Sequence, residues 1–341
     1  MKRVGFLKEE LLSRENCELA IRNATRNKKD RFVVKRVLDD KESLLQELQT
    51  NPAISGVYKE KSIIDVSSGK PRQLAIPDIV DLVKQHQLMQ VIMPIMERTY
   101  YEHSYGAIRG RGFIKASQYL RTLLGKKVYY VKLDIIKYYE NIDHEILKDQ
   151  FNNLIKDKYI LNLINTIIDS HGKGKGLPIG NYTSQSFANF FLTPLDHYIK
   201  EEIGVTYYVR YMDDMLLMET NKRDLIKKLK LVLEETTKLK LKVHKERIRI
   251  GVVDEKHFID MCAFKHYKHK VTIRKRIFNR IRKTVFKLRK FLCLKQAKRF
   301  MSYWGYLMKS DSHKFKAKYM PMINMANMRK LISTSMKGAT I

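Results

Sequence analysis

The 341-residue chain contains little cysteine, proline or glycine, with 3, 7 and 15 residues of each. Its cysteines are scattered and form no CxxC pair, which argues against a disulfide scaffold or structural zinc site and favours a reducing compartment. No apolar run approaches 18 residues, so we expect no transmembrane helix. Leu7-Lys8-Glu9-Glu10 stands where a signal peptide would have its apolar core, so no signal peptide is expected either. The predicted location is the cytoplasm.

Acidic residues are also scarce. The chain has 36 Asp and Glu against 67 Lys and Arg, a formal charge of +31. From residue 261 to 341 there are 22 basic residues and a single acid, Asp311. Such an imbalance predicts a polyanionic partner, most commonly nucleic acid.

One helix in this basic region is predicted from its apolar spacing. Phe278, Ile281, Val285, Leu288 and Leu292 follow one another at intervals of 3, 4, 3 and 4, which defines a single helix face. The basic residues that fall largely off this face are Arg280, Arg282, Lys283, Lys287 and Lys290. They form either a solvated surface or a phosphate-binding face, and the lack of neutralising acids favours the second.

The remaining pattern predicts a mixed α+β chain. Strands are expected over 128–133, 205–210, 215–218 and 241–250, with a hairpin over 56–76. Helices are expected within 1–55 and over 78–98, 114–124, 143–156, 184–203 and 222–238.

Three carboxylates stand beside these strands. Asp134 closes an apolar strand, and Asp213 and Asp214 lie between two others. An ordinary β-turn would explain the pair, since turns favour Asp. Alternatively, carboxylate oxygens are preferred ligands of Mg²⁺, and two such ions about 4 Å apart catalyse in-line displacement at phosphate.

These acids belong to an ordered series of motifs, which resembles the reverse transcriptase family over about residues 56–270. Tyr211-Met212-Asp213-Asp214 matches its YxDD box, and Leu133–Tyr139 resembles its first metal-binding motif. Gly176–Gly180 resembles the substrate loop, Lys70-Pro71-Arg72 the fingers hairpin, and Ile259–Phe264 the primer grip, where Met261 and Ala263 depart from the family pattern.

The resemblance implies a right-hand polymerase fold that makes DNA on RNA with two Mg²⁺ ions and deoxynucleotides. The expected domains are an N-terminal helical extension over 1–55, fingers with N-terminal palm elements over 56–127, a palm with an antiparallel sheet over 128–265 that includes a fingers insertion around 144–180, and a helical thumb with a tail over 266–341.

Roles carried over by the resemblance fall into three groups. The expected metal site comprises Asp134, Ile135, Asp213 and Asp214, of which the three acids are catalytic. The expected nucleotide-binding residues are Lys70, Arg72, Tyr139, Ile179, Gly180, Gln185 and Lys245. The expected nucleic-acid-binding residues are Arg109, Arg111, Tyr211, Met212, Arg280, Lys283, Lys287 and Lys290.

Several of these roles have simpler alternatives. Tyr139 would exclude a 2′-hydroxyl or only pack in the core, and Ile179 would contact the nucleotide or only fill a gap. Arg72 would clamp the triphosphate or be an ordinary surface residue. Lys245 would act near the leaving phosphate, but Arg247 or plain solvation explains this segment equally well.

The substrate loop indicates a subgroup. Most group II intron and retroviral members carry PQG followed by SP, whereas this chain has Pro178-Ile179-Gly180 and Ser184-Gln185. That pattern, with Ala107–Gly112 and Ser302–Leu307, resembles the enzymes of diversity-generating retroelements. These bacterial or phage-encoded enzymes copy a template-repeat RNA with errors at adenines, and work with a small basic accessory variability protein that is an oligomer. The alternatives are a retron or antiphage-defence reverse transcriptase and a non-catalytic RNA-binding scaffold.

Overall fold

A computed structural model describes residues 2–26, 28, 31–64, 71–126 and 128–337. The helices are α1 (Lys8–Leu12), α2 (Arg14–Thr25), α3 (Phe32–Asp39), α4 (Lys41–Thr50), α5 (Ile79–Glu97), α6 (Phe113–Leu123), α7 (His144–Leu154), α8 (Lys158–Asp169), α9 (Ser184–Phe191), α10 (Thr193–His197), α11 (Lys222–Lys238), α12 (Lys275–Lys290), α13 (Leu294–Met308), α14 (His313–Tyr319) and α15 (Met325–Lys337). The strands are β1 (Tyr58–Ile64), β2 (Pro71–Pro77), β3 (Tyr129–Asp134), β4 (Tyr207–Tyr211), β5 (Asp214–Glu219), β6 (Ile250–Val252), β7 (Ile259–Met261), β8 (Phe264–His266) and β9 (Val271–Ile273).

One compact unit comprises Met1–Glu102, Asp134–Gly204 and Lys228–Glu246. Its N-terminal helices enclose a small core that includes Ile21, Leu45 and Val83. Strands β1 and β2 pair in antiparallel register, with Tyr58 opposite Pro77. The described strands confirm the hairpin predicted over 56–76, while residues 65–70, which include Lys70 and most of the predicted turn, lie outside the described residues.

The other unit comprises His103–Leu133, Val205–Lys227 and Arg247–Ile341. It contains a four-stranded sheet in the order β4-β5-β3-β6 and a three-stranded sheet in the order β7-β8-β9. Helices α6, α12 and α13 contribute to its core, where Leu216 of β5 belongs to the same apolar cluster as Val285 and Phe300. This packing fixes the sheet that carries the Tyr211–Asp214 segment.

The structure corrects two predicted elements. The single helix expected over 184–203 is divided into α9, α10 and a π-helical turn over Tyr198–Glu202. Pro194 lies at the start of α10, and it has no backbone N–H to continue the ladder from α9. Of the strand expected over 241–250, only Ile250 lies in a strand, as the first residue of β6, because a 3₁₀ turn over Lys245–Arg247 interrupts the segment.

No helix within the described ranges is long and apolar enough to cross a membrane.

Candidate active site

Strands β4 and β5 form a hairpin with a very short turn. Tyr211 is paired with Asp214 across the antiparallel ladder, so only Met212 and Asp213 form the turn itself. Met212 has a φ of +55°, as two-residue hairpin turns often require. Tyr211 and Asp214 are thus strand residues rather than the loop residues that the sequence predicted, and the two acids lie at the hairpin tip.

The segment His103–Gly106, which precedes α6, contacts this turn and the end of β4. Arg210 donates its backbone N–H to the His103 carbonyl at 3.1 Å, and its own carbonyl accepts the Tyr105 N–H at 2.9 Å. At Gly106 the contact is so close that a Cβ atom would lie 2.5 Å from the backbone nitrogen of Met212. Any side chain at position 106 would therefore displace the turn.

Arg210 is a functional candidate that the sequence analysis missed. Its side chain is fully buried, and its Nη1 donates a hydrogen bond to the Met212 carbonyl at 3.1 Å. Arginine is rarely fully buried, and a guanidinium offers donors in a fixed planar fork. The signal available in the sequence was an arginine within the apolar run Tyr208–Tyr211. Its hydrogen bond to the Met212 carbonyl indicates that Arg210 stabilises the turn.

The expected primer-grip segment forms a second tight hairpin in the same unit. Met261 is opposite Phe264, and the two turn residues, Cys262 and Ala263, have φ values of +55° and +70°. Alanine replaces the family glycine where a left-handed backbone costs an L-residue about 1–2 kcal/mol. Burial, followed by the Asp214 carboxylate, raises the pKa of the Cys262 thiol to about 12, so this thiol stays protonated.

In the first unit, the chain around Asp134 pairs with the segment before Lys245. The Asp134 carbonyl accepts the His244 N–H at 3.0 Å, and Ile135 forms an antiparallel bridge with Val243. The Ile135 side chain is buried, which leaves its backbone carbonyl as the group able to contact a metal. Lys245 is exposed at the start of its 3₁₀ turn.

Two adjacent tyrosines have different environments. Tyr138 is buried and its hydroxyl donates to the Ala188 carbonyl, so it is a packing residue. Tyr139 is only half-buried, and its carbonyl accepts the Leu177 N–H at 2.8 Å. The main chain of Tyr139 is therefore bonded to the substrate loop.

The same loop is attached to the β1–β2 hairpin. Ala75 of β2 donates its N–H to the Ile179 carbonyl at 2.9 Å, and Gly180 has a φ of +104°. Arg72 lies exposed on β2, and Gln185 lies exposed in the first turn of α9. The fold thus places the loop residues Ile179 and Gly180 beside the strand that carries Arg72.

Residues 58–306, well over half of the chain, match the family model for reverse transcriptase (RNA-dependent DNA polymerase). The chain belongs to the reverse transcriptase family. Its relatives include the group II intron-encoded protein LtrA of Lactococcus lactis subsp. cremoris, which is 26% identical over 164 residues, 46% of this chain and 27% of that protein. Protein YkfC of Escherichia coli K12 is 25% identical over 165 residues, 43% of each chain. The match thus spans less than half the length of either relative.

Solved telomerase structures from Candida tropicalis share the fold of this chain. The apo form truncated from the C-terminal domain has a TM-score of 0.51 at 14% identity, covering 65% of this chain and 56% of that one. The complex with the TWJ fragment of telomeric RNA has a TM-score of 0.51 at 13% identity, covering 84% and 54%. The α+β right-hand polymerase fold is confirmed.

The donors at the hairpin tip suit a hard cation. Asp213 and Asp214 offer carboxylate oxygens, the ligand type that Mg²⁺ prefers, and Mg²⁺ fills its remaining positions with water and substrate phosphate. Within the part of the chain that the structure describes, no three His, Cys, Asp or Glu side chains are grouped so that they could hold a metal ion. The two acids therefore match Mg²⁺ in ligand type.

The basic helix α12 has the predicted two faces. Ile281, Val285 and Leu288 are buried, while Lys283, Lys287 and Lys290 are exposed and Arg280 is half-buried. Spacings of 3, 4 and 3 place these four basic residues on one side of α12. They form a continuous row of positive charge.

The two arginines before α6 differ in their contacts. Arg111 donates from Nη1 to the Ser104 carbonyl at 2.8 Å, so it braces the segment beside β4. Arg109 is exposed. Arg109 is therefore the better placed of the two to reach a phosphate.

Proposed function

We propose that this chain is an RNA-directed DNA polymerase, which extends a primer with deoxynucleotides along an RNA template. The observation that carries the proposal is the Tyr211–Asp214 hairpin, whose acidic tip is fixed by buried Arg210 and by close packing on Gly106. Its occurrence in a chain that matches the reverse transcriptase family over 58–306 favours catalysis over an ordinary β-turn.

The chemistry assigned to the acids is nucleotidyl transfer. The family resemblance assigns Asp134, Asp213, Asp214 and the Ile135 carbonyl to two Mg²⁺ ions, which when bound would supply activation of the primer 3′-oxygen and stabilisation of the departing pyrophosphate. Asp213 and Asp214 need little reorganisation for this role, since the turn already fixes their backbone.

The remaining residues of the substrate site bind and select the nucleotide. Arg72 pairs with triphosphate oxygens, for which the planar guanidinium is suited, and Lys70, two positions earlier in the sequence, adds charge. Exposed Lys245 approaches the leaving phosphate. Tyr139 contacts the sugar and excludes a 2′-hydroxyl, the group that distinguishes RNA precursors from DNA precursors.

The basic surfaces grip the template and its hybrid through phosphates. The row Arg280, Lys283, Lys287 and Lys290 contacts the backbone, assisted by Arg109 and Arg111, and residues Tyr211 and Met212 contact the primer end. Each phosphate contact adds roughly 0.7–0.9 to the slope of log affinity against log salt. Substituting Lys283 and Lys287 by Met should lower that slope by about 1.5.

The narrower assignment is a diversity-generating retroelement in a bacterial or phage genome. It is supported by the sequence pattern Pro178-Ile179-Gly180 and Ser184-Gln185. Ile179 lacks the polar side chain of a glutamine, and losing a positioned hydrogen bond weakens discrimination between bases. The enzyme then copies a template-repeat RNA with errors at adenines, together with a small basic accessory protein.

The test is cDNA synthesis on a primed, adenine-rich RNA, with and without a co-expressed basic accessory protein, read by sequencing. Ile179→Gln should change the error spectrum, whereas Ile179→Met, of similar length but apolar, should keep it. Accurate cDNA from the wild type would leave the polymerase but overturn the retroelement assignment in favour of a retron or defence enzyme. An unchanged spectrum in Ile179→Gln would contradict the role of Ile179.

A further inference from the structure

A network of charges links the acidic hairpin to the primer-grip hairpin within one unit of the structure. The Lys132 Nζ lies 2.9 Å from Asp214 Oδ1 and donates to the Asp260 carbonyl at 3.2 Å. Asp260 Oδ1 in turn accepts from Arg274 Nε at 2.5 Å, and Arg274 is the residue immediately before helix α12. Lys132 and Arg274 thus connect four elements, which are β5, β3, β7 and the start of α12.

The position of Lys132 on β3 restricts where its ammonium can reach. Val131 and Leu133 are fully buried, so Lys132 projects from the opposite face of the strand, as alternation requires. β3 lies between β5 and β6 in the sheet, which fixes its backbone on both sides. The lysine is therefore anchored by a central strand and has two acceptors from different elements.

Lys132 forms more than an ordinary surface ion pair. An exposed pair between a lysine and a carboxylate contributes about 0–1 kcal/mol to stability, and Lys132 and Asp214 are each only 30% exposed. The second contact is to a backbone carbonyl of β7, so it constrains a main chain rather than a side chain. Losing the ammonium would free the Asp214 rotamer and the β7–β8 hairpin together.

We propose that Lys132 is a positioning residue, whose ammonium fixes the Asp214 carboxylate and ties it to the β7–β8 hairpin. Arg274 extends the tie to the basic helix through Asp260. The proposal rests on the polymerase function proposed above, because the tie sets the acidic tip against the segment that resembles the primer grip. A misplacement of about 1 Å at reacting groups can cost about a hundredfold in rate, so the link has a direct consequence for DNA synthesis.

The test compares Lys132→Met, which keeps the aliphatic stem, with Lys132→Arg, which keeps the charge. Lys126→Met is the matched control, since Lys126 is an exposed lysine of the same unit that contacts Tyr207 rather than an acid. The first readout is hydrogen–deuterium exchange of the substrate-free protein. Lys132→Met should exchange faster in peptides covering both 211–216 and 259–266, while Lys126→Met should match the wild type.

The second readout is single-turnover addition of one deoxynucleotide to a primed RNA. Lys132→Met should lower the maximal rate at least tenfold with less than a twofold change in half-saturating nucleotide, and Lys132→Arg should recover most of that rate. Unchanged exchange in Lys132→Met overturns the tie, whatever the activity. Faster exchange with an undiminished rate overturns the positioning role. A wild type that adds no nucleotide refutes the polymerase function instead, while exchange still decides the tie.

Discussion

Gly106→Ala is the substitution whose effect follows most directly from the structure. The added Cβ would lie 2.5 Å from the Met212 nitrogen, 2.6 Å from its Cγ and 2.7 Å from its Sδ, whereas ordinary contacts are 3.4–4 Å. The flexible Met212 side chain can move away, but the backbone nitrogen moves only if the turn between β4 and β5 moves. Relief of the contact therefore requires the Gly106 segment and the Met212 backbone, next to Asp213, to move apart by nearly 1 Å.

Two magnitudes follow from that displacement. Overpacking of a well-packed site costs about 1–3 kcal/mol of unfolding free energy, so urea denaturation should show a loss in that range. A shift of about 1 Å at reacting groups lowers rates by about a hundredfold, so single-nucleotide addition should fall more than stability alone explains. The assay is run where both proteins are fully folded.

Gly125→Ala is the matched control for this experiment. No atom lies within 4 Å of a Cβ built at Gly125, and its φ is not in the left-handed region. It should leave stability and the rate of nucleotide addition unchanged. If Gly106→Ala behaves like Gly125→Ala in both assays, the reasoning that the turn is held by close packing is refuted.

Three further predictions concern single side chains. Burial lowers the pKa of His266 from 6.5 to about 4, so between those pH values the unfolded chain binds a proton that the folded chain does not. As the pH is lowered from 6.5 to 4, the free energy of unfolding should therefore decrease by up to ~3 kcal/mol. His266→Leu should lack this part of the pH dependence in urea titrations, and a pH dependence identical to that of the wild type would contradict the prediction. Alkylation at pH 8 followed by mass spectrometry should label Cys293 before Cys17 and Cys262, because burial raises the pKa of Cys17 to about 11 and that of Cys262 to about 12. Equal labelling of the three cysteines would contradict this prediction. Tyr139→Ala should admit ribonucleotides while Tyr139→Phe should not, measured as the ratio of ribonucleotide to deoxynucleotide incorporation, and an unchanged ratio in the alanine variant would remove the sugar-selecting role.

Local patterns predicted the elements around the site well. The short apolar runs identified strands β3, β4 and β5 and a turn between β4 and β5, and the spacing in α12 identified its buried face. These signals are local because each element is defined by its own backbone period. The fold class followed from them and from the order of the family motifs.

The long-range supports of the site were not predictable in the same way. Lys132 reads as an ordinary polar position of a strand until β5 is placed beside β3, and its partner Asp214 is distant in sequence. The apolar neighbours of Arg210 mark it as unusual, but its partners, the Met212 carbonyl and the backbone of His103 and Tyr105, are known only once the chain is folded. Partners of buried charges are set by tertiary pairing, which no local period encodes.

The central claim is that the acidic hairpin carries out DNA synthesis on RNA. Its most direct test is extension of a DNA primer on an RNA template by the purified chain in Mg²⁺, with Asp214→Asn and, as a matched acid of the same unit, exposed Asp224→Asn. We expect the wild type and Asp224→Asn to extend the primer at the same rate, and Asp214→Asn to lose more than about a hundredfold. Equal extension by Asp214→Asn, or no extension by the wild type with its native RNA and accessory protein supplied, would contradict the account.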